Sequence, residues 1–102
     1  MTKATMKHFD EYHNQLKSFT DMIARRYKNG ESTDRIFERK YIEDIYDDYN
    51  NMIFSMHRFH VISDEDYNEL FERAYELYLK YDTILLNVYF ERQVKQYEVW
   101  RI

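Results

Sequence analysis

The sequence of 102 residues has no cysteine, no proline and a single glycine. Without cysteine it can form no disulfide framework and offers no thiol nucleophile, which is compatible with the cytoplasm. One glycine excludes a glycine-rich phosphate loop and a nucleophile elbow. No apolar run approaches membrane-spanning length, and the N-terminus carries charges where a signal peptide needs an apolar stretch. We therefore expect a cytoplasmic protein without a membrane partner.

Because proline and glycine interrupt helices, their scarcity favours an all-α fold. Three segments place apolar residues at alternating spacings of three and four, the pattern of amphipathic helices. We predict one domain, 1-102, an antiparallel three-helix bundle of long heptad-patterned helices at about 3-28, 33-60 and 64-90. After Val88 the apolar pattern changes phase, so the third helix is expected to bend or end there. Residues 91-102 are predicted to be a short C-terminal extension, whose conformation as a last turn, a strand or an ordered tail stays open.

The predicted core follows from the apolar stripes of the three helices. A second row on the third helix lies beside its main stripe, so this helix is expected to contact both others. The stripes are Phe9, Tyr12, Leu16, Phe19 and Ile23; then Ile42, Ile45, Tyr49, Met52, Met56 and Phe59; then Tyr67, Leu70, Ala74, Leu77, Tyr81, Ile84 and Val88, with the second row Phe71, Tyr75, Tyr78, Leu85 and Tyr89.

Local signals mark where the helices begin and end. The first helix is predicted to start after Thr2 and to stop at Asn29-Gly30, where glycine can adopt a left-handed conformation. Ser32-Thr33 is a start signal for the second helix. Ser63 is the predicted N-cap of the third helix, with Asp66 at the third helical position. Acidic residues in this first turn also suit the positive end of the helix dipole, so the acidic run needs no ligand to explain it.

The stretch YIEDIYDDYNNMIFSM, residues 41 to 56, mixes tyrosines with acids. On a helical wheel most of the tyrosines fall in or near the core, whereas Phe54 falls on the polar face. Leu79 and Leu86, seven residues apart, fall opposite the main stripe of the third helix. Exposed apolar residues of this kind indicate a surface for a partner or for self-association, with packing by the C-terminal segment as the alternative. The predicted partner-binding residues are Glu43, Asp47, Asn50, Phe54, Arg58, Leu79 and Leu86.

The formal net charge is −4, and the bases are enriched in the first 30 residues. The bundle topology brings a group of bases to one pole, where they could contact phosphates. Helix termini and intrahelical pairs account for much of this group, so nucleic-acid binding is the second hypothesis. It would use Arg25, Arg26, Lys28, Arg35, Arg39 and Lys40.

The opposite pole is expected to collect the four histidines, His8, His13, His57 and His60. Their spacing matches neither HExxH nor the paired ExxH of a di-iron bundle, so we predict surface histidines and no metal site. The serines have no convincing base at a distance that the sequence places, and adjacent carboxylates on a helix point in different directions. No catalytic residues and no cofactor are predicted.

These features favour a small acidic helical interaction module whose aromatic and acidic face binds a protein partner and inhibits or regulates it. In size, acidity and its preference for residues with AT-rich codons, the sequence resembles the anti-defence and host-takeover proteins of phages, such as anti-CRISPR inhibitors. That resemblance implies an inhibitor of a macromolecular partner. The alternatives are a nucleic-acid-binding protein that uses the basic pole, alone or as a homodimer, and an immunity-type bundle that binds a toxin.

Overall fold

The computed structural model describes the backbone of residues 1–31 and 34–100 and the side chains of these residues as far as Gln93. It contains three helices, α1 (Lys3–Lys28), α2 (Arg35–Arg58) and α3 (Asp64–Trp100). They form a rod about 62 Å long and 20 by 18 Å across. α3 packs extensively against both α1 and α2, which meet each other less. The predicted all-α three-helix bundle, with the third helix as its centre, is confirmed.

Each helix begins at a side chain that accepts a hydrogen bond from a backbone N–H. The oxygens of Thr2, Asp34 and Ser63 accept from the N–H three residues later, at 3.2, 3.1 and 3.1 Å. These bonds satisfy N–H groups that the first turn leaves without intrahelical partners. The predicted caps Thr2 and Ser63 are confirmed. The start signal predicted at Ser32-Thr33 lies outside the described residues, and the observed cap of α2 is Asp34.

α1 and α2 end in the same way, with one residue in the left-handed region. After α1 this residue is Gly30, at φ 79°, and the N–H of Glu31 donates to the carbonyl of Arg26 at 3.0 Å. After α2 it is His60, at φ 59°, and the N–H of Val61 donates to the carbonyl of Met56 at 2.8 Å. Both ends are Schellman motifs, which favour glycine at this position. The predicted stop at Gly30 is confirmed, whereas α2 uses a histidine.

This difference predicts opposite effects of two substitutions. His60 is exposed, so His60→Gly should relieve backbone strain without removing packing and should raise the free energy of unfolding by about 0.5–1 kcal/mol. Gly30→Ala should lower it by about 1 kcal/mol, because a Cβ there meets no atom within 4 Å and only the backbone conformation is penalised. Chemical denaturation followed by circular dichroism measures both. If His60→Gly destabilises the protein, the histidine side chain contributes more than its exposure indicates.

The core is built mainly from the predicted stripes and is rich in tyrosine. Tyr12 and Tyr49 stack at 4.4 Å between ring centres, and the hydroxyl of Tyr12 donates to the carbonyl of Ala74 at 2.6 Å. Of the predicted core residues, those that are buried are Tyr12, Leu16, Ile23, Ile42, Ile45, Tyr49, Leu70, Ala74, Tyr81, Leu85 and Tyr89. Those that are partly buried against them are Phe9, Phe19, Met52, Met56, Tyr67, Leu77, Tyr78, Ile84 and Val88.

Three predicted core residues are on the surface. Phe59 is 72% exposed because α2 ends at Arg58, and the chain then turns at His60. Phe71 and Tyr75 are about half exposed, because the second row of α3 turns away from the core at its outer edge. Conversely, several residues outside the predicted stripes are buried, namely Thr5, Thr20, Tyr27, Glu38, Ile53 and Ile62.

α3 does not end near residue 90 as predicted but continues to Trp100. The apolar phase does change after Val88, yet nothing in the following ten residues breaks a helix, because they contain neither proline nor glycine. As far as Trp100, the predicted C-terminal extension is therefore a continuation of α3, and the last two residues lie outside the described part of the chain.

Candidate functional site

An open groove of about 670 Å³ runs between α2 and α3. Its lining belongs to these two helices, with Ile36, Leu86 and Phe90 as exposed apolar members. Phe54 lies on the same stripe of α2 as Ile36, about five turns later at ~3.6 residues per turn. We call this side of the molecule the interaction face, defined by Ile36, Glu43, Asp47 and Phe54 of α2 and by Phe71, Glu72, Tyr75, Glu76, Leu79, Leu86 and Phe90 of α3.

Exposed apolar side chains recur in a stripe along α3 on this face. Phe71, Tyr75, Leu79, Leu86 and Phe90 follow one another at spacings of four, four, seven and four, which keeps them on one side of a helix. With Ile36 and Phe54 of α2 they make seven large apolar side chains. Because each is 43 to 85% exposed, together they leave on the order of 800 Å² open, about what one partner contributes to a standard protein interface.

Tyrosines form the floor of the face, between the two helices. The ring of Tyr46 stacks on that of Tyr78 at 4.8 Å between centres and lies 6.2 Å from that of Tyr75. Burial raises the pKa of the Tyr78 hydroxyl, and the nearby carboxylates of Asp82, Glu43 and Asp47 raise it further, partly offset by Arg39. The floor is thus held by ring packing and lies in a negative electrostatic field.

Carboxylates flank the apolar stripe on both sides. Glu43 and Asp47 extend from α2, while Glu72 and Glu76 each lie one turn before an apolar residue of the stripe, Tyr75 and Leu79. All four are exposed, and none makes an ion pair with another residue in the described part of the chain. They leave the centre of the interaction face with a net negative charge.

The bases beside the groove are engaged within the protein. The guanidinium of Arg39 donates two hydrogen bonds to Asp82, at 2.9 and 3.0 Å, and this pairing raises the pKa of Arg39. Lys40 pairs with Asp44 at 3.2 Å, and Arg35 lies over the ring of Tyr89 at 5.1 Å. Three of the six bases predicted for nucleic-acid binding therefore have intramolecular partners. The other three, Arg25, Arg26 and Lys28, are exposed in the last turn of α1.

The structure brings most of the predicted partner-binding residues to the interaction face. Phe54, Leu79 and Leu86 are exposed by 54, 44 and 43%, as predicted. Asn50 differs, because it is half-buried and its side-chain oxygen is shielded from solvent without a hydrogen-bond partner among the described residues. Arg58 is exposed in the last turn of α2, one turn after Phe54.

Six residues of the face were missed by the sequence prediction, the apolar Ile36, Phe71, Tyr75 and Phe90 and the acidic Glu72 and Glu76. Phe71 and Tyr75 were assigned to a buried second row. The spacing of Phe71, Tyr75, Leu79, Leu86 and Phe90 carried the signal, since it defines a second apolar stripe on α3. A sequence alone does not show which of two stripes meets a neighbouring helix.

Three of the four histidines have separate local contacts, and His8 lies 3.7 Å from Glu11. His13 shares a hydrogen bond of 2.8 Å with the hydroxyl of Tyr81. His57 pairs with Asp64 and stacks on Tyr67 at 4.5 Å between ring centres. Among the residues that the structure describes, no group of three or more histidines and carboxylates is placed to hold a metal ion.

Comparison with protein-family models, with curated proteins and with solved structures finds no match to this chain. Within the described residues, none of the helices combines the length and the apolar character that crossing a membrane requires.

Proposed function

We propose that this protein is a small helical interaction module that binds a protein partner through the interaction face and inhibits or regulates it. The observation that carries the proposal is the combination, on one side of the α2–α3 pair, of an exposed apolar stripe with carboxylates that have no ion-pair partner in the described chain. Apolar patches of this size are uncommon on monomeric proteins and are typical of interfaces. Aromatic side chains in such a patch are good anchors for a partner.

Size, acidity and the preference for residues with AT-rich codons support one form of this function, an inhibitor or regulator of a host complex such as an anti-defence protein of a phage. Such a protein needs no active site, because it acts by occupying a surface of its target. A rigid bundle suits this role, since few side chains must be ordered on binding.

Nucleic-acid binding is the second candidate, favoured by Arg25, Arg26 and Lys28 at the end of α1. These three bases also stabilise the negative end of the α1 dipole, which is a sufficient reason for their position. Arg92 contributes to the structure of the same pole, where it lies over the ring of Tyr27 at 4.9 Å and donates to the backbone carbonyl of Glu31.

Phe54→Ala should leave the stability of the protein nearly unchanged and should weaken partner binding, because Phe54 is exposed on the interaction face. Phe37→Ala is the matched control. It removes the same side chain from the same helix, but Phe37 lines the groove between α1 and α2 instead. The measurement is an affinity pull-down from a low-GC bacterial lysate, with and without nuclease, with partners quantified by mass spectrometry and stability by thermal melting.

A stoichiometric protein that survives nuclease, is lost with Phe54→Ala and is retained with Phe37→Ala would support the proposal. Partners that disappear on nuclease treatment and depend on Arg25 and Arg26 would replace it with nucleic-acid binding. If Phe54→Ala unfolds the protein, Phe54 belongs to the core and the face is wrongly placed.

A further inference from the structure

The charge that remains on the interaction face points to the chemistry of its occupant. Within the described residues, the bases beside the groove are engaged by Asp82, Asp44 and the ring of Tyr89. The four carboxylates of the face, Glu43, Asp47, Glu72 and Glu76, make no ion pair there, although Glu43 and Asp47 add to the effect of Asp44 in raising the pKa of Lys40. The face is therefore apolar along its middle and negative along both sides. A partner surface that matches it is apolar along its middle and positive along both sides.

The backbone around the groove limits which kind of secondary structure a bound partner segment can have. α2 and α3 use their backbone N–H and C=O groups within their own helices, so they offer no edge to which an extended segment could add as a strand. A helical segment of the partner already hydrogen-bonds its own backbone groups, so it needs to contact the face only through side chains. The groove itself is lined by the first third of α2. The interaction face continues from Ile36 to Phe54, which is about 27 Å along α2 at ~1.5 Å per residue and enough for a partner helix of about five turns.

A second copy of this chain fits the face less well. It would bring the same four carboxylates, while its Arg39 and Lys40 are already paired with Asp82 and Asp44. Forming new ion pairs between copies would require breaking those pairs. A segment with free lysine and arginine side chains gains the same apolar contact without breaking an existing pair, a modest advantage because Lys40 and Asp44 are both more than half exposed.

We infer that the interaction face binds a basic amphipathic helix of its partner protein, with apolar residues at positions i, i+3 and i+7 against the stripe of α3 and with lysine or arginine beside the four carboxylates. This inference rests on the proposed function and adds the chemical class of the partner. The helix would lie along α2 and α3 and would contact both.

Synthetic helical probes test this directly. The first is a fluorescent peptide of about 21 residues with leucine at the a and d positions and lysine or arginine at e and g, and the second carries glutamate in place of every base. Fluorescence anisotropy measures their binding to the full-length protein at about 50 and about 300 mM salt. The basic probe should bind, and its affinity should fall several-fold at the higher salt, whereas the acidic probe should bind at least tenfold more weakly.

A matched pair of variants separates the face from net charge. The face variant combines four substitutions that remove charge with little change of shape, Glu43→Gln, Asp47→Asn, Glu72→Gln and Glu76→Gln. The control variant changes the net charge equally at four exposed acids outside the face, Asp10→Asn, Glu11→Gln, Asp21→Asn and Asp48→Asn. Circular dichroism and thermal melting establish that both are folded. The face variant should lose several-fold in affinity for the basic probe, and the control variant should bind it nearly as well as the wild type.

Three results would overturn the inference. Equal binding of the two probes would show that charge does not select the occupant, and equal effects of the two variants would show only non-specific attraction to net charge. A wild-type dimer in sedimentation equilibrium that Phe54→Ala dissociates would identify a second copy as the occupant. In the first two cases the proposed function still stands if the pull-down partner depends on Phe54, so the two failures are distinguishable.

Discussion

Tyr49→Ala is expected to lower the free energy of unfolding by about 3 kcal/mol, as large-to-small substitutions of buried aromatic residues do. Tyr49 is only 5% exposed. Its ring stacks on that of Tyr12 and meets that of Phe9 edge-on at 6.1 Å between centres. Truncation would remove both ring contacts and leave a cavity between α1 and α2. Denaturant unfolding followed by circular dichroism measures the loss.

Tyr49→Phe is the matched control for this substitution. The hydroxyl of Tyr49 is buried and has no hydrogen-bond partner among the described residues, so removing it should leave stability unchanged or raise it by up to about 1 kcal/mol. The ring and its packing are retained. A loss as large for Tyr49→Phe as for Tyr49→Ala would mean that the hydroxyl has a partner, such as a bound water, and that this hydrogen bond stabilises the protein more than ring packing does.

Alkaline pH is expected to destabilise the protein strongly. Burial raises the pKa of Tyr49 from 10.0 to about 12. Burial also raises the pKa of Tyr12, together with neighbouring tyrosines, and that of Tyr89, together with its hydrogen bond to Glu38. In the unfolded chain these phenols ionise near pH 10, so the unfolded state binds fewer protons than the folded state above that pH.

The sign of the effect follows from this difference in bound protons. The stabilising contribution is complete below about pH 10 and is lost as the pH rises through the raised values of the folded protein. For Tyr49 alone, a rise from about 10 to about 12 corresponds to about 3 kcal/mol. We therefore expect a free energy of unfolding that is nearly constant between about pH 8 and 9.5 and then falls steeply.

Denaturant unfolding at successive pH values, together with the near-ultraviolet absorbance of tyrosinate, measures this loss. Ionisation of the buried tyrosines should coincide with unfolding. Tyr49→Phe should lose less stability between about pH 10 and 12 than the wild type, because one raised phenol is gone. A stability that stays constant to about pH 12 would mean that the tyrosines ionise without leaving the core.

The periodicity of the sequence was sufficient to predict the three helices and most of the core, because the burial of an apolar stripe fixes the position of a helix in a bundle. Leu16, Ile42 and Leu70, one from each predicted stripe, are fully buried. The boundaries set by Thr2, Gly30 and Ser63 were also readable, because each depends on one local hydrogen bond or one backbone angle. The end of α2 was placed two residues too late, since His60 in a left-handed conformation is not a signal that residue type provides.

Residues whose role depends on tertiary partners were less predictable. Glu38 reads as a surface residue, but it is buried and accepts a hydrogen bond of 2.9 Å from the hydroxyl of Tyr89, 51 positions away. Tyr75 reads as core, but it lies on the interaction face. The exposed positions of Phe54, Leu79 and Leu86 were predicted correctly. Whether the surrounding bases were free was not predictable, because the partner of Arg39 is on another helix.

The two apolar stripes of α3 lie on different sides of the helix, one packed in the core and the other exposed on the interaction face. One side holds the bundle together through Leu70, Ala74 and Leu85, and the other exposes Tyr75 and Leu79. Substitutions on the exposed side change few core contacts, so they should seldom affect stability. The bundle is thus a scaffold whose specificity can be re-engineered, or can diverge in evolution, by altering one surface while the core sequence stays constant.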